Sequence, residues 1–574
     1  MKGMRKIIFI TAAVMLTVNG FAQAPNYVWA KSAGGSFSDC GNSIAVDSSG
    51  NSYVTGYFYS LSIAFGSTTF SNANGPGIAD MFIVKYDTSG NVVWAKFAGG
   101  SSDVVGNSIA VDASGNSYVT GYFYSPSITL GSNTLTNADT SLSGDIFIVK
   151  YDASGNVVWA KSVGGSSDDE GMGITVDTGG NSYVTGYFYS PSITFGSNTL
   201  TNTDTSGNTS DVFIVKYDAS GNAVWAKSGH GSSPDLGNSI AVDASGNSYV
   251  TGYFQGTSIT FGSTTLTNLG GTNIFIVKYD ASGNVVWAHS AGGNFFDLGY
   301  GIAVDAGGNS YVTGYFTSPS ITFGSTTLTN ADVSGNTADV FIVKYDTSGN
   351  PVWAKSGDGS SDDVGNSIAV DAGGNSYITG YFISPSITFG STTLTNVDTS
   401  GQSWNMFIVK YDTSGNLLWV KSAGVSNNVF GYGIAVDGNS SSYVTGYFGS
   451  LSITFGSTTL TNDTAGGTSD IFIVKLNPTS GEPLGVSEIN HQETISIYPN
   501  PTTSSFTIST TAGKIKEVKV FDVVGEIVNS QQGIGNSQCT IDMKGVSKGI
   551  YFVQIMYFDK LSMTNVVNKK VVVQ

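Results

Sequence analysis

The sequence predicts an all-β protein, in which a seven-bladed β-propeller of four-stranded blades is followed by a small Ig-like β-sandwich. Two kinds of element recur along most of the chain, seven times each, and no long helical period follows the first two dozen residues. The first element is centred on tryptophans spaced 62 to 66 residues apart: Trp29, Trp94, Trp159, Trp225, Trp287, Trp353 and Trp419. The second is Tyr-Val-Thr-Gly-Tyr-Phe, which begins at Tyr53, Tyr118, Tyr183, Tyr249, Tyr311, Tyr377 (with Ile for Val) and Tyr443.

Each repeat holds four strand-like runs joined in pairs by tight turns. In the first repeat the runs are Ser43 to Asp47, Ser52 to Phe58, Met81 to Asp87 and Val92 to Phe97. The turns share the pattern Asp-x-x-Gly-Asn, where Asp caps the turn and Gly supplies a positive φ. The first and second strands therefore pair as a hairpin, and so do the third and fourth.

The runs are almost continuously apolar, which predicts sheets that are buried on both faces. Such sheets are the blades of a propeller. The alternative, an open solenoid, needs capping repeats at its ends, and neither end has one. Instead the first tryptophan strand lacks a partner before it, and the last Phe-Ile-Val-Lys strand lacks one after it. We therefore expect residues 28–32 to pair with residues 471–476, so that an N-terminal strand closes the ring.

A longer insert separates the second and third strands of each repeat. Its Ile-Thr-x-Gly-Ser-x-Thr-Leu-Thr core is expected to form a small extra hairpin. The inserts and the segments that join consecutive blades should emerge on one face, and the Asp-x-x-Gly-Asn turns on the opposite face.

The repeated motifs resemble the bacterial SBBP-type β-propeller repeat. The resemblance rests on Ala-Val-Asp-x-x-Gly-Asn-x-Tyr-Val-Thr-Gly and Phe-Ile-Val-Lys-Tyr-Asp-x-x-Gly-Asn-x-x-Trp, and covers roughly residues 27–477. It implies a fold, and no single activity follows from it.

Composition excludes some classes of function. The net charge is −17 and the only arginine is Arg5, so nucleic acid is not an expected partner. The two cysteines, Cys40 and Cys539, fall in different predicted domains and lack metal-ligand spacing. We expect a signal peptide at 1–22, the propeller at 25–477, a linker at 478–490 and a second domain at 491–574, with no transmembrane segment.

Acidic residues are unevenly distributed. Residues 25–483 contain 34 acids and 13 lysines, and 13 of the acids lie in the repeated turns. Most of the other 21 fall in the inserts and inter-blade segments, which predicts one acidic face. That face could attract divalent cations or a basic partner, or could simply keep the protein soluble. Because no dedicated calcium loop is present, no cofactor is expected unless calcium is held between loops.

Candidate ligand-binding residues are acids of this face and aromatic residues that depart from the repeat. They are Asp168, Asp169, Asp235, Asp297, Asp362, Asp363, Trp404, Phe295 and Phe296. The aromatic residues could stack on a sugar or a partner, or could pack locally within their loops. No catalytic or metal-binding constellation is recognised, and His230, His289 and His491 have no metal-ligand spacing.

The C-terminal segment resembles the type A sorting domain of the type IX secretion system. The motifs are Ile-Tyr498-Pro499-Asn500-Pro501, then Val-Phe-Asp-Val-Val-Gly525, then Gly549-Ile-Tyr551-Phe-Val. The resemblance implies export to the cell surface or the medium by that machinery, with cleavage of the domain.

Together these observations predict a secreted, monomeric binding or adhesion protein for glycan or protein ligands, and not an enzyme. The alternatives are an extracellular lyase or hydrolase that uses loop carboxylates, and a purely structural surface protein.

Overall fold

The computed structural model describes residues 24–478 except 73, 140–142, 205–206, 269, 399–400, 425–426 and 463–466, and residues 495–573 except 511–512, 523–526, 533–534 and 560–563. The predicted signal peptide and almost all of the predicted linker lie outside the described residues. Contacts divide the chain into two units, Met1–Thr479 and Ser480–Gln574.

The first unit contains seven sheets, numbered 1 to 7 in chain order, each with four main strands that are named here by their position in the repeat. The first strands are β2 (Asp39–Val46), β8 (Val104–Val111), β14 (Asp169–Val176), β20 (Asp235–Val242), β26 (Asp297–Val304), β32 (Asp363–Val370) and β38 (Val429–Val436). The second strands are β3 (Ser52–Phe58), β9 (Ser117–Phe123), β15 (Ser182–Phe188), β21 (Ser248–Phe254), β27 (Ser310–Phe316), β33 (Ser376–Phe382) and β39 (Ser442–Phe448).

The remaining main strands follow each insert. The third strands are β6 (Asp80–Tyr86), β12 (Asp145–Tyr151), β18 (Asp211–Tyr217), β24 (Asn273–Tyr279), β30 (Asp339–Tyr345), β36 (Asn405–Tyr411) and β42 (Asp470–Leu476). The fourth strands are β7 (Val92–Ala98), β13 (Val157–Val163), β19 (Ala223–Gly231), β25 (Val285–Ala291), β31 (Pro351–Asp358), β37 (Leu417–Ala423) and, in sheet 7, β1 (Tyr27–Ala33).

The predicted pairing of the N-terminal strand β1 with β42, the last strand of the repeat region, is confirmed. Sheet 7 has the order β1-β42-β39-β38, with Trp29 opposite Lys475 and Ala33 opposite Ile471. The first strands contact one another in sequence from β2 to β38, and β38 contacts β2.

The first strand of each repeat begins earlier than the sequence predicted. In sheet 1 it starts at Asp39 and not at Ser43, and its register shifts between Gly41 and Ser43. A β-bulge places two residues opposite one, so it interrupts the alternation by which a strand is recognised in a sequence. The aspartates at these strand starts therefore belong to the sheets.

The turns and inserts lie at opposite ends of each sheet, as predicted. At the turn end, Asp47 accepts hydrogen bonds from the backbone N–H of Ser49 and Asn51, at 3.0 and 2.9 Å, and Gly50 has a φ of 81°. At the other end, which we call the insert end, Phe58 lies opposite both Asp39 and Asp80.

Every insert forms the expected hairpin. The hairpin strands are β4 (Ser62–Phe65) with β5 (Thr68–Ser71), β10 (Ser127–Leu130) with β11 (Asn133–Thr136), β16 (Ser192–Phe195) with β17 (Asn198–Thr201), β22 (Ser258–Phe261) with β23 (Thr264–Thr267), β28 (Ser320–Phe323) with β29 (Thr326–Thr329), β34 (Ser386–Phe389) with β35 (Thr392–Thr395), and β40 (Ser452–Phe455) with β41 (Thr458–Thr461). Two of them pair with the fourth strand of the preceding sheet, β22 with β19 and β34 with β31. These two hairpins cover sheet edges that would otherwise present unpaired backbone groups.

Neighbouring sheets share apolar cores. One cluster joins Tyr53 and Met81 of sheet 1 to Phe123 and Phe147 of sheet 2. Polar contacts cross the same junction, since the Trp94 indole N–H donates to the Ala153 carbonyl at 3.1 Å. Each repeat therefore depends on the next to bury its faces.

The predicted acidic face is present only in part, because about half of the surplus acids are buried. Ten of them are buried: Asp39, Asp80, Asp145, Asp169, Asp211, Asp235, Asp297, Asp339, Asp363 and Asp470. The interpretation of Asp169, Asp235, Asp297 and Asp363 as exposed surface groups is wrong, because each is 0% exposed. Each of these aspartates is the first residue of a first strand, whereas the sequence predicted that it lies in a loop.

The buried acids meet in pairs between adjacent sheets. Burial raises the pKa of Asp169 to about 7, the Ser190 hydroxyl opposes that rise, and the charge of Asp145 adds to it. Burial likewise raises the pKa of Asp145 to about 6. At the position equivalent to Asp145, sheets 4 and 6 carry the neutral residues Asn273 and Asn405.

The second unit consists of two sheets. Its strands are β43 (Ile495–Tyr498), β44 (Ser505–Thr510), β45 (Gly513–Phe521), β46 (Ile527–Gln532), β47 (Gln538–Asp542), β48 (Gly549–Asp559) and β49 (Thr564–Val573). The sheet orders are β43-β44-β47 and β46-β45-β48-β49. One core joins the two sheets, with Phe506, Ile508 and Ile541 from the first and Val520 and Val553 from the second.

We expect Trp29→Ala to destabilise the first unit by about 3–5 kcal/mol, because it empties a buried site between sheets 7 and 1. Val28→Ala is the matched control, since Val28 is 47% exposed in the same strand and its loss should change stability by less than about 0.5 kcal/mol. Urea unfolding followed by tryptophan fluorescence and far-UV circular dichroism measures both. Equal effects of the two substitutions would contradict the role given to β1.

We expect the first unit to become more stable as the pH falls from 8 to 5. Carboxyl groups whose pKa is raised by folding bind protons in the folded state at pH values where the unfolded chain has released them. Their stabilising contribution is therefore complete below the unfolded pKa of about 3.9 and is lost as the pH rises through 6 to 7. Asp145→Asn should weaken this pH dependence and raise stability at pH 8 by on the order of 1–2 kcal/mol. Urea midpoints at pH 5, 6, 7 and 8 measure both effects.

Asp87→Asn is the control for that series. Hydrogen bonds from Asn91 hold the pKa of Asp87 below its usual value, so its loss should leave the stabilisation between pH 8 and 5 in place. A wild-type unit whose stability rises with pH across this range would overturn the assignment of the buried pairs.

Candidate functional site

Seven tyrosines, which we call the tyrosine ring, occupy the next-to-last position of the second strands. They are Tyr57, Tyr122, Tyr187, Tyr253, Tyr315, Tyr381 and Tyr447. In every second strand this position is partly exposed while the other six residues are buried. The ring therefore lies at the insert end, one residue from the end of each strand.

Six of the seven tyrosines are connected by electrostatic interactions between neighbours, whereas Tyr187 interacts with Glu170. Tyr57 interacts with Tyr447 and Tyr122, and Tyr315 interacts with Tyr253 and Tyr381. The interaction between Tyr381 and Tyr447 connects these two groups.

The hydroxyl groups of the ring stay protonated at neutral pH. Burial raises the pKa of each of the seven, to about 12 for Tyr253, Tyr315 and Tyr447. Each can therefore donate a hydrogen bond to a ligand as well as accept one.

The carboxylate of Glu170 lies beside the tyrosine ring at sheet 3. Glu170 lies opposite Tyr187 in the sheet, and its charge is felt by Tyr122 and Tyr124. Burial raises the pKa of Glu170 to about 7, and a hydrogen bond from Tyr187 partly opposes this rise. At the equivalent position the other sheets carry Cys40, Val105, Leu236, Leu298, Val364 and Phe430, so Glu170 makes sheet 3 chemically distinct.

Sheets 6 and 7 add further aromatic side chains, and we call Tyr381, Trp404, Phe430, Tyr432 and Tyr447 the aromatic cluster. Ring centroids are 5.0 Å apart for Tyr381 and Trp404, 4.5 Å for Tyr381 and Phe430, and 4.8 Å for Phe430 and Tyr447. Tyr432 stacks on Phe430 at 6.0 Å. Edge-to-face and offset contacts of this kind fix the ring positions.

Trp404, one of the predicted ligand-binding residues, belongs to the aromatic cluster and is partly exposed. Its backbone is held in place, because its carbonyl accepts from Val429 N–H at 2.8 Å and its N–H donates to Asn428 Oδ1 at 3.3 Å. Local packing and partial exposure are therefore both present at this residue.

Two of the predicted acidic residues lie beside the ring. Asp168, which is exposed, accepts from the Gly144 N–H at 2.9 Å, and its charge acts on Glu170 and Tyr124. Asp362 accepts from the Ala338 N–H at 3.0 Å and its charge acts on Tyr381. Each fixes a loop and also adds negative charge near the tyrosines.

The two phenylalanines of sheet 5 have different environments. Phe295 is partly buried, and an added Cβ on Gly335 would lie 2.7 Å from its ring. Phe296 is 57% exposed and its N–H donates to Thr317 Oγ1 at 2.9 Å. Only Phe296 is largely free to contact another molecule.

The histidines do not form a site in the part of the chain that is described. His289 packs against Trp287 and Tyr345, with centroids 5.4 and 6.3 Å away, and His230 lies in β19. His491 lies outside the described residues. Among the described residues, no group of three or more His, Cys, Asp or Glu side chains is arranged to hold a metal.

The tyrosine ring was not predicted as a site because its members belong to the repeat, whereas the predicted aromatic site residues are those that depart from it. A signal was nevertheless available. The Tyr-Phe pair that ends each second strand places two large aromatic residues on opposite faces, so only one of them can enter the core.

In the second unit, the predicted sorting motif connects the two sheets. Asn500 Oδ1 accepts from the Val572 N–H at 2.9 Å, and Tyr498 is 48% exposed. Gly549 opens β48, and Tyr551 in that strand is buried and donates to the Ser547 carbonyl at 2.6 Å. Pro499 and Pro501 flank Asn500, and Gly525 lies outside the described residues.

Comparison with known proteins matches two families. Residues 28–57, 93–122, 158–187 and 418–447 match the β-propeller repeat family. Residues 496–574 match the secretion system C-terminal sorting domain.

Two similar proteins share parts of the chain. An uncharacterized WD repeat-containing protein, L264, of Acanthamoeba polyphaga mimivirus is 28% identical over 462 residues, which is 67% of this chain and 32% of that protein. The regulatory protein FlaEY of Caulobacter vibrioides is 30% identical over 110 residues, which is 19% of this chain and 12% of that protein. The chain thus spans less than a third of the length of either.

The matches among solved structures are distant. Sqt1 from Chaetomium thermophilum has a TM-score of 0.28 at 9% identity, covering 65% of this chain and 96% of that one. An apocarotenoid oxygenase from Synechocystis has a TM-score of 0.30 at 10% identity, covering 78% and 97%. Scores this low support no inference about function.

No helix able to cross a membrane occurs in the described part of the chain. The sorting domain marks proteins that are delivered to the cell surface or the extracellular space and that engage the type IX secretion machinery. The chain therefore combines β-propeller repeats of the SBBP type with a type IX secretion system C-terminal sorting domain, and is an exported surface or extracellular protein.

Proposed function

We propose that this protein is a surface-exposed, seven-bladed propeller that binds carbohydrate at the tyrosine ring, without catalysing a reaction. The observation that carries the proposal is the placement of seven tyrosines, the aromatic cluster and Glu170 at one end of the sheets. The binding surface is thus built from the repeat itself and is modified by departures from it.

Three contacts support a closed ring of seven blades. β1 completes sheet 7, β38 contacts β2, and the Tyr443 hydroxyl lies 3.0 Å from the Gly50 carbonyl of sheet 1. In such a ring the tyrosines surround one mouth of the axial channel. Because β1 meets β42 within the chain, we propose that the protein is a monomer.

The chemistry of the mouth fits a sugar. Carbohydrates present apolar C–H faces, which pack on aromatic rings, and hydroxyl groups, which need directional partners. The tyrosine hydroxyls supply donors and acceptors, and Glu170 supplies a charged acceptor for two neighbouring sugar hydroxyls. The aromatic cluster supplies the apolar platform on the side of sheets 6 and 7.

For the second unit, the two sheets and their shared core support an Ig-like sandwich. We propose that it is removed after export, which leaves the propeller at the cell surface or released into the medium. The ring would then be the ligand-binding part of the mature protein.

We expect Trp404→Ala and Glu170→Gln each to weaken glycan binding about fivefold to tenfold, equivalent to roughly 1–1.4 kcal/mol for a stacking contact or a charge-assisted hydrogen bond. Phe97→Ala is the matched control, because Phe97 is 42% exposed on the fourth strand β7, away from the ring. A glycan array selects the ligand, and calorimetry with the full secreted chain measures the affinities.

Thermal melting should show that the three variants remain folded. Retention of no glycan by the wild-type protein, or equal losses in all three variants, would refute carbohydrate binding at the ring. If the protein instead bound a protein ligand and this binding depended on Trp404, the location of the site would be supported and its ligand would be a protein.

A further inference from the structure

One junction between sheets departs from the others at its insert end. In five sheets the first strand begins with a buried aspartate, and in four of these a serine of the insert donates to it. The donor–acceptor pairs are Ser60 to Asp39 at 2.7 Å, Ser190 to Asp169 at 2.7 Å, Ser318 to Asp297 at 2.7 Å and Ser384 to Asp363 at 2.9 Å. In sheet 4 the aspartate is Asp235, and the residue at the serine position is Gly256.

Asp235 is consequently a buried acid that lacks the serine donor. It is 0% exposed, neither of its carboxylate oxygens has a partner at good hydrogen-bond geometry, and only the Gln255 backbone N–H is close enough to stabilise its charge. A buried, unsatisfied carboxylate is costly, so such a group normally acquires a proton, a cation or a water molecule.

A second carboxylate lies at the same place. Asp211 opens the third strand of sheet 3 and interacts electrostatically with Asp235. Both approach Gly231: its N–H donates to Asp211, and an added Cβ at Gly231 would lie 2.6 Å from Asp235 Oδ2. The Thr203 N–H also donates to Asp211 Oδ2 at 3.0 Å, which orients this second carboxylate.

A surface cavity lies beside Gly256, the position at which the serine is missing. This open cavity of about 430 Å³ is lined by Ser232, Ser233, Gln255, Gly256 and Thr257 together with Asn268 and Gly270. An ideal Cβ on Gly256 would meet Ser232 Oγ at 2.9 Å, so the Ser232 hydroxyl lies next to Gly256 and must rotate away to admit a side chain there. Oxygen-bearing groups therefore line the surface next to Gly256.

We propose that the junction of sheets 3 and 4 is a calcium-binding site, in which Asp235 and Asp211 provide carboxylate ligands beside Gly256, where the serine donor is missing. The side-chain hydroxyl of Ser232, backbone carbonyls and water complete the coordination, because calcium takes six to eight oxygens in a flexible arrangement. Magnesium fits less well, since it demands near-ideal octahedral geometry and holds its water tightly.

The site should be of modest affinity. Only two carboxylates contribute, and the described residues offer no cluster of three or more metal-ligating side chains. Extracellular calcium modules with few charged ligands bind with Kd values on the order of 10⁻⁴ to 10⁻³ M. Such an affinity matches an exported protein that meets calcium outside the cell.

The chain provides its own test variant, Gly256→Ser, which restores the residue found in the other six repeats. We expect the full secreted wild-type chain to bind one calcium ion at pH 7.5 by calorimetry and to melt at a higher temperature in 5 mM calcium than in EDTA. Gly256→Ser and Asp235→Asn should each abolish the calcium-dependent shift in melting temperature.

Gly438→Ser is the control, because no atom lies within 4 Å of a Cβ added at Gly438 in sheet 7 and the residue is exposed. It should retain the wild-type shift, and 5 mM magnesium should produce a smaller one. Absence of any calcium-dependent shift in the wild-type protein, or an unchanged shift in Gly256→Ser, would overturn the proposal. Loss of glycan binding in these variants is not required, because the cation site and the tyrosine ring are separate proposals.

Discussion

The hydrogen bond from one tyrosine to the turn of the next sheet is the contact on which the arrangement of the repeats depends. The Tyr53 hydroxyl lies 3.1 Å from Asp47 Oδ2 of its own turn and 3.2 Å from the Gly115 carbonyl of the next one. A buried phenol needs such partners, and Tyr53 is 0% exposed. The ammonium group of Lys85 lies 4.8 Å from the centre of the same ring, which adds a cation–π contact. The equivalent tyrosines are Tyr118, Tyr183, Tyr249, Tyr311, Tyr377 and Tyr443.

This contact explains why the turn end varies so little. Asp47 caps its turn and also receives the tyrosine, so a change in the turn would disturb two sheets at once. At the insert end the corresponding contacts differ from sheet to sheet: Ser60 donates to Asp39, whereas Gly256 stands at the serine position beside Asp235. Serine, glycine, glutamate and tryptophan substitutions are tolerated there, and the ring, Glu170 and the open junction at Gly256 all lie at that end. The proposed carbohydrate and calcium sites therefore lie at the end of the sheets where the repeats differ most.

Much of the fold could be predicted from local chemistry. The Asp-x-x-Gly-Asn turns identify the hairpins, and the unpaired strands near both ends of the repeat region identify the pairing of β1 with β42. The start of the first strands could not be predicted, because the bulge after Gly41 hides the alternation that reveals a strand. Four of the candidate ligand residues were misplaced on the surface for this reason.

The site could be predicted only in part. Trp404 was recognisable as an aromatic residue out of phase with the repeat, but its contacts with Tyr381 and Phe430 join residues from different repeats. The missing serine donor of Asp235 could not be recognised from the sequence either. Gly256 stands 21 positions after Asp235, and its importance is evident only when the hydrogen bond from Ser60 to Asp39 is known.

The pairing of β1 with β42 determines the order in which the protein can fold. A hairpin such as β2–β3 closes a short loop, whereas joining Trp29 to Lys475 closes almost the whole first unit. The entropic free-energy cost of closing so long a flexible loop is about 5 kcal/mol, compared with about 1.5 kcal/mol for a five-residue turn. Sheets 1 to 6 can therefore assemble from local contacts while the chain is still emerging, and sheet 7 forms last. Until then β1 has no strand partner and β42 can pair only with β39, so the first unit cannot be completed before its last repeat is available.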